Sequence, residues 1–127
     1  MTYKELLDSI ILKDVLDNPT SLININLNDV KELFRQDEDI RAFDVRVSSI
    51  GEQRMERVMK KMKEETDSSL SFSSALIFFF FPESHPLLMS EIQPLSEWIE
   101  SAPGEFLLTW GMATQSSQEL RIIVLLQ

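Results

Sequence analysis

Four hydrogen-bonding side chains fall within six residues at Asn24, Asn26, Asn28 and Asp29, in the stretch Ser21-Leu22-Ile23-Asn24-Ile25-Asn26-Leu27-Asn28-Asp29-Val30. An Asn amide orients a water or a polar ligand but is a poor proton acceptor, so Asp29 is the one carboxylate of the group. The same residue types have a plainer use. Their side chains bond nearby backbone and favour turns and caps, and Asn28 is placed to cap a helix with Asp29 in its first turn. Elsewhere the chemistry is sparse. His85 is the only histidine and there is no cysteine, whereas zinc sites draw on several such residues. No Gly-rich phosphate loop and no Ser-His-Asp or Cys-His arrangement is recognisable, so no cofactor and no metal are expected.

The elements that must position this stretch follow from apolar spacing. From Tyr3 to Leu16, Leu6, Leu7, Ile10, Ile11 and Val15 recur at helical intervals, which predicts one amphipathic helix stopped by Asn18-Pro19. A short helix starting near Asn28 has Val30, Leu33 and Phe34 as its apolar side and ends at Gln36-Asp37-Glu38-Asp39. Phe43, Val45 and Val47 alternate with Asp44, Arg46 and Ser48, the period of a half-buried strand closed by Gly51. A helix over about 52 to 65 carries the stripe Met55, Val58, Met59 and Met62, read as core, and a serine-rich connection spans 66 to 74. Ser74 to Pro82 has no polar face and belongs at the sheet centre. Ser90-Glu91-Ile92-Gln93 opens a further helix with Pro94 at its fourth position, and Pro103-Gly104 ends it. Phe106 to Met112 and Glu119 to Leu126, joined by a polar loop, are expected to pair as a hairpin.

The 127 residues fit one domain with one core. A net charge of −9 and a pI near 4.5 argue against nucleic acid or an anionic membrane surface as partner. The first residues include Lys4, Glu5 and Asp8, so no signal-peptide core is expected there, and the longest apolar run is far short of the roughly 20 residues of a membrane helix. A cytoplasmic location is the expectation.

The opening stretch resembles the synergy loop of the tubulin/FtsZ family, whose bacterial form runs Gly-x-x-Asn-x-Asp-x-x-Asp followed by Val. Here it stands as Ser21-x-x-Asn24-x-Asn26-x-x-Asp29-Val30. The resemblance implies that Asn24, Asn26 and Asp29 face the nucleotide of the next subunit in a filament, where the family's two acidic positions polarise the attacking water. Ser21 stands for the Gly and Asn26 for the first Asp, which removes one of those charges. Tyr3 to Pro19 resembles the end of the family's core helix, and Ala42 to Arg57, with Gly51-Glu52-x-Arg54, resembles its strand and Gly-Glu-x-Arg helix start. Ala75 to Phe81 resembles the central strand and Leu88 to Ile99 the next helix. Trp110-Gly111 resembles the end of the third strand and Leu120 to Leu125 the last.

The implied fold is α+β: a four-stranded mixed sheet with two helices on one face and an N-terminal core helix on the other. It is one FtsZ C-terminal-like domain over 1–127, with 1–19 as core helix, 20–30 as synergy-type loop and 31–127 as the remainder. No counterpart of the family's GTP-binding half is seen. The resemblance therefore implies a non-enzymatic interaction module that binds the nucleotide face of an FtsZ-like GTPase and caps or modulates its filament. The alternative is a stand-alone structural or ligand-binding α+β domain, open to self-association.

Overall fold

The computed structural model describes residues 1–66 and 71–127. Its organising element is β3 (Ser74–Pro82), in which every residue is buried. A strand apolar on both faces is stable only with neighbours on both edges and a layer on each face. On one edge it pairs parallel with β4 (Leu107–Gln115), and on the other antiparallel with β5 (Glu119–Leu126). The outer positions go to β1 (Ser21–Ile23), antiparallel to β4, and β2 (Arg41–Ser48), antiparallel to β5. The strand order is β1-β4-β3-β5-β2 in a mixed five-stranded sheet.

Two sequence expectations change here. The sheet has five strands rather than four, because Ser21–Ile23 extends along β4 instead of remaining loop. The last two strands are not a hairpin, since β3 lies between them. Residues 116–118 connect them across the end of β3; two strand spacings are about 9.6 Å, which three extended residues span. β4 also runs on to Gln115, so Gly111 lies inside the strand and buried Ala113 belongs to it.

The helices cover the two faces as two separate clusters. Against Phe43, Val45, Val47, Ile77 and Phe79 pack α4 (Arg54–Glu65), through Met55, Val58, Met59 and Met62, and α5 (Met89–Glu100), through Leu95 and Ile99. Against Leu76, Phe78, Phe80, Ile123 and Leu125 pack α1 (Tyr3–Leu7), α2 (Ile10–Leu16) and α3 (Leu27–Leu33). The expected arrangement of two helices on one face and the N-terminal helical segment on the other is present, with α3 added to the second face.

That segment is two helices rather than one. Thr2 and Glu5 form a capping box at the start of α1, and Ser9 caps α2 by accepting from the Leu12 N–H. The break rotates the second helix, so Leu12 is buried and Ile10 is 71% exposed, the reverse of an uninterrupted stripe. At α5 the first helical residue is Met89, not a residue after Ser90, and the Leu88 N–H donates to the Glu91 carboxylate. Pro94 is consequently in the second turn, where its missing N–H costs one helical bond. Of the connection expected over 66–74, residues 67–70 lie outside those described, Phe72 is buried and Ser74 already belongs to β3. Among the described residues no helix is long and apolar enough to cross a membrane.

Phe79, 2% exposed, faces the α4 and α5 layer. Phe79→Asp is expected to cost several kcal/mol, on the order of the whole stability of a small domain, whereas Phe79→Leu costs about 1 kcal/mol. Thermal melts of the two variants check this; an Asp variant that melts with the wild type contradicts a two-sided core.

Candidate functional site

The loop that carries Asn24, Asn26 and Asp29 is held at the sheet edge by β1. Ser21 lies opposite Ala113 and Ile23 opposite Met112, with an irregularity between them, and the Thr114 N–H donates to the Thr20 carbonyl. Thr20 Oγ1 bonds both Asn18 Oδ1 and the Thr114 carbonyl, which fixes the chain as it leaves α2. Gly111 allows the approach. A Cβ there would lie 2.7 Å from the Ile23 carbonyl oxygen and 2.7 Å from the Phe78 ring, closer than atoms of these types tolerate. Beyond Ile23 the chain buries only Ile25 before α3 begins.

Asn24 and Asn26 are exposed and Asp29 is half-buried. Asn26, not Asn28, caps α3. Its Oδ1 accepts from the Asp29 N–H at 2.9 Å, and the Asp29 carboxylate accepts from the Asn26 N–H at 2.9 Å. The two residues thus form a reciprocal capping box two residues before Asn28, the cap expected from the sequence. Asn28 instead bonds Glu32 on the helix surface. The reason is positional: Ile25 enters the core, and Leu27 begins the helix that buries Val30 and Leu33. Asn24 stands outside the box.

Two further polar constellations were not visible in the sequence. Arg121, 8% exposed, makes a bidentate pair with Asp44 at 2.9 and 2.8 Å and a single bond to Asp14 at 2.8 Å, while the Phe80 ring lies 5.2 Å away. The hydrogen bonds to Asp44 come first in holding its guanidinium yet more firmly charged than usual, followed after desolvation by that to Asp14. These bonds tie α2 and β2 to β5. Arg121 also lines a recess of about 820 Å³ with Asp17, Asn18, Thr20, Ser84 and Gln118, but two carboxylates already satisfy it.

Arg54, of the Gly51-Glu52-x-Arg54 motif, is 6% exposed. It donates to Glu91 at 2.6 and 2.8 Å, to Ser49 Oγ, and to the His85 and Pro86 carbonyls, clamping the start of α4 to the start of α5. Two left-handed residues make the turn that aims it, Gly51 at φ +94° and Gln53 at φ +61°. For a non-glycine residue the latter conformation is strained by roughly 1 kcal/mol or more. Arg54 is a structural clamp with every accessible partner inside the protein.

Comparison with known protein families finds none that matches the chain, and comparison with curated proteins finds no relative. Solved structures do match. The structure of a W319Y mutant of FtsZ from M. jannaschii aligns with all of this chain at 15% identity and a TM-score of 0.59, over 41% of its own length. An empty FtsZ dimer from M. jannaschii aligns with 99% of this chain at 19% identity and a TM-score of 0.60, over 40% of its length. At such identities the likeness concerns the fold. The chain has an FtsZ-like α+β fold and spans about two-fifths of the FtsZ chains it matches, consistent with a C-terminal-half domain.

Two measurements test the geometry. Asn26→Ala is expected to lower stability by about 1 kcal/mol through the lost cap, while Asn26→Asp and Asn24→Ala leave the denaturant midpoint nearly unchanged. Hydrogen bonds from Arg54 hold the Glu91 carboxyl below its ordinary value, against a smaller opposing effect of burial. A depressed folded pKa contributes stability above the ordinary glutamate range that is lost as pH falls through the folded value. Wild type should therefore lose more stability than Glu91→Gln between about pH 5 and pH 3; parallel acid curves contradict the clamp.

Proposed function

We propose that this chain is a non-catalytic interaction module which meets the nucleotide face of a tubulin/FtsZ-type GTPase through Asn24, Asn26 and Asp29, and so caps or modulates its filament in the cytoplasm. The observation that carries this reading is the exposure of Asn24 and Asn26 on either side of buried Ile25, in a loop held at the edge of an FtsZ-like sheet. A filament subunit needs two faces. The 127 residues contain a synergy-type loop and no Gly-rich phosphate cradle, so this segment by itself would present no nucleotide to a following subunit. Asn26 in place of a carboxylate weakens the polarisation of an attacking water across the junction, which suits a cap that slows turnover.

One observation favours the rival reading of a structural or ligand-binding domain, open to self-association. Asn26 and Asp29 satisfy each other in the capping box, a use that needs no partner. Asn24 separates the two readings, because no capping bond depends on it.

The chain is expected to bind no GTP: a fluorescent GTP analogue should show no saturable micromolar binding that unlabelled GTP displaces. Added in excess to an assembling FtsZ-like GTPase, it should lower both sedimented polymer and phosphate release. Asn24→Ala should remove that effect with an unchanged melting temperature, and Asn26→Asp should raise phosphate release above that seen with wild type. If wild type leaves both assays untouched, the interaction reading fails and the structural one stands.

A further inference from the structure

β1 covers only part of the β4 edge. Pairing reaches Met112 and Ala113, and the Ile23 carbonyl lies against Gly111, after which the chain turns into α3, so Leu107 to Trp110 have no strand beside them among the described residues. The direction of the free backbone groups follows from two bonds. The Leu107 N–H donates to Ser73 on the β3 side, and the Thr114 N–H donates to Thr20 on the β1 side. Strand alternation then directs the amides of Leu108 and Trp110 to the same open side as Thr114. An exposed edge of this kind accepts an extended segment, with the main chain supplying affinity and alternate side chains supplying specificity.

The two faces beside this edge differ in chemistry. Toward α5, Phe106, Leu108 and Trp110 line an apolar recess of about 250 Å³ with Phe79, Met89 and Ile92. Leu108 is 47%, Trp110 39% and Met89 76% exposed. Toward α3, Leu107 and Thr109 line a recess of about 300 Å³ with the carboxylates Asp29 and Glu32. A segment laid along β4 would turn one set of alternate side chains into the apolar recess and the other set toward two carboxylates.

We propose that the open β4 edge from Leu107 to Trp110 binds an extended segment of another protein in which apolar and basic residues alternate. Charge selects this occupant over a second copy. Edge-to-edge pairing of two copies would bring the carboxylates of both onto one face, in a chain whose net charge is −9. The proposal does not depend on the filament reading: the two share Asp29, but neither Asn24, Asn26 nor a GTPase enters it.

The test uses the whole ¹⁵N-labelled chain and two synthetic nine-residue peptides of identical composition. One alternates Val or Ile with Lys or Arg, and the other gathers the basic residues at one end. The alternating peptide is expected to bind about tenfold more tightly, to slow exchange of the Leu108 and Trp110 amides, and to bind more weakly as salt rises. Glu32→Lys, on an exposed side chain outside the capping box, should weaken it several-fold. Leu108→Pro removes an outward-facing donor that β3 does not use and should abolish binding, with the melting temperature reporting whether the fold persists. Equal affinity for the two peptides, no binding, or perturbation away from these amides would overturn the proposal. Protection of the same amides with rising protein concentration and no peptide would assign the edge to a second copy and overturn the choice of partner.

Discussion

The rest of the structure depends on one constraint, that β3 from Ser74 to Pro82 has no face it can show to water. Removing several large apolar side chains from solvent on both sides of one strand stabilises it by roughly 1.5 to 3 kcal/mol for each one fully buried, and both coverings must be present together. The two clusters meet that demand with α4 and α5 on one side and α1 to α3 on the other. The edge neighbours are chosen on the same ground. β5 is nearly as buried as β3, so it too belongs inside the sheet, and β2, half-buried with a polar alternate face, takes the outer place.

The other side of the sheet is less completely closed. β4 begins with exposed Leu107 and Leu108 and becomes buried at Gly111 and Ala113, where β1 arrives and the absence of a Cβ lets the Ile23 carbonyl approach. A three-residue strand cannot cover a nine-residue one. Its brevity has two consequences: the chain leaves the sheet at Asn24 in an exposed loop, and the first half of β4 keeps an open edge. The capping box of Asn26 and Asp29 then starts α3 within three residues of the strand's end, so the loop is short and anchored at both ends.

Features local in sequence were the legible ones. Both faces of Ala75 to Phe81 are apolar, and that alone placed the strand at the centre; the α4 methionine stripe and the alternation of β2 were equally plain. The single N-terminal helix was misread because apolar spacing outweighed Ser9, although Thr2 with Glu5 and Ser9 before Ile10 carried the signal for two capped helices. The hairpin was misread because nearness in sequence stood in for nearness in the sheet, while the stronger demand of β3 for two neighbours separated β4 from β5. At the site, the loop and its residues were legible. The cap assignment was not, since Asn26 and Asn28 are chemically equal and only the burial of Ile25 and Val30 sets the phase. The Arg121 and Arg54 constellations join residues between 31 and 107 positions apart, except for Ser49, and no local pattern encodes such pairs.

The fold supplies a rigid sheet, an anchored loop at one place on its edge and an open backbone at another. The most direct measurement of the central claim is amide hydrogen exchange on this chain with and without a GTP-loaded FtsZ-like GTPase. The account predicts slowed exchange at Asn24, Asn26 and Asp29, with Leu107 to Trp110 unchanged. Protection confined to the β4 edge, or none at stoichiometric excess, would contradict a loop-mediated junction.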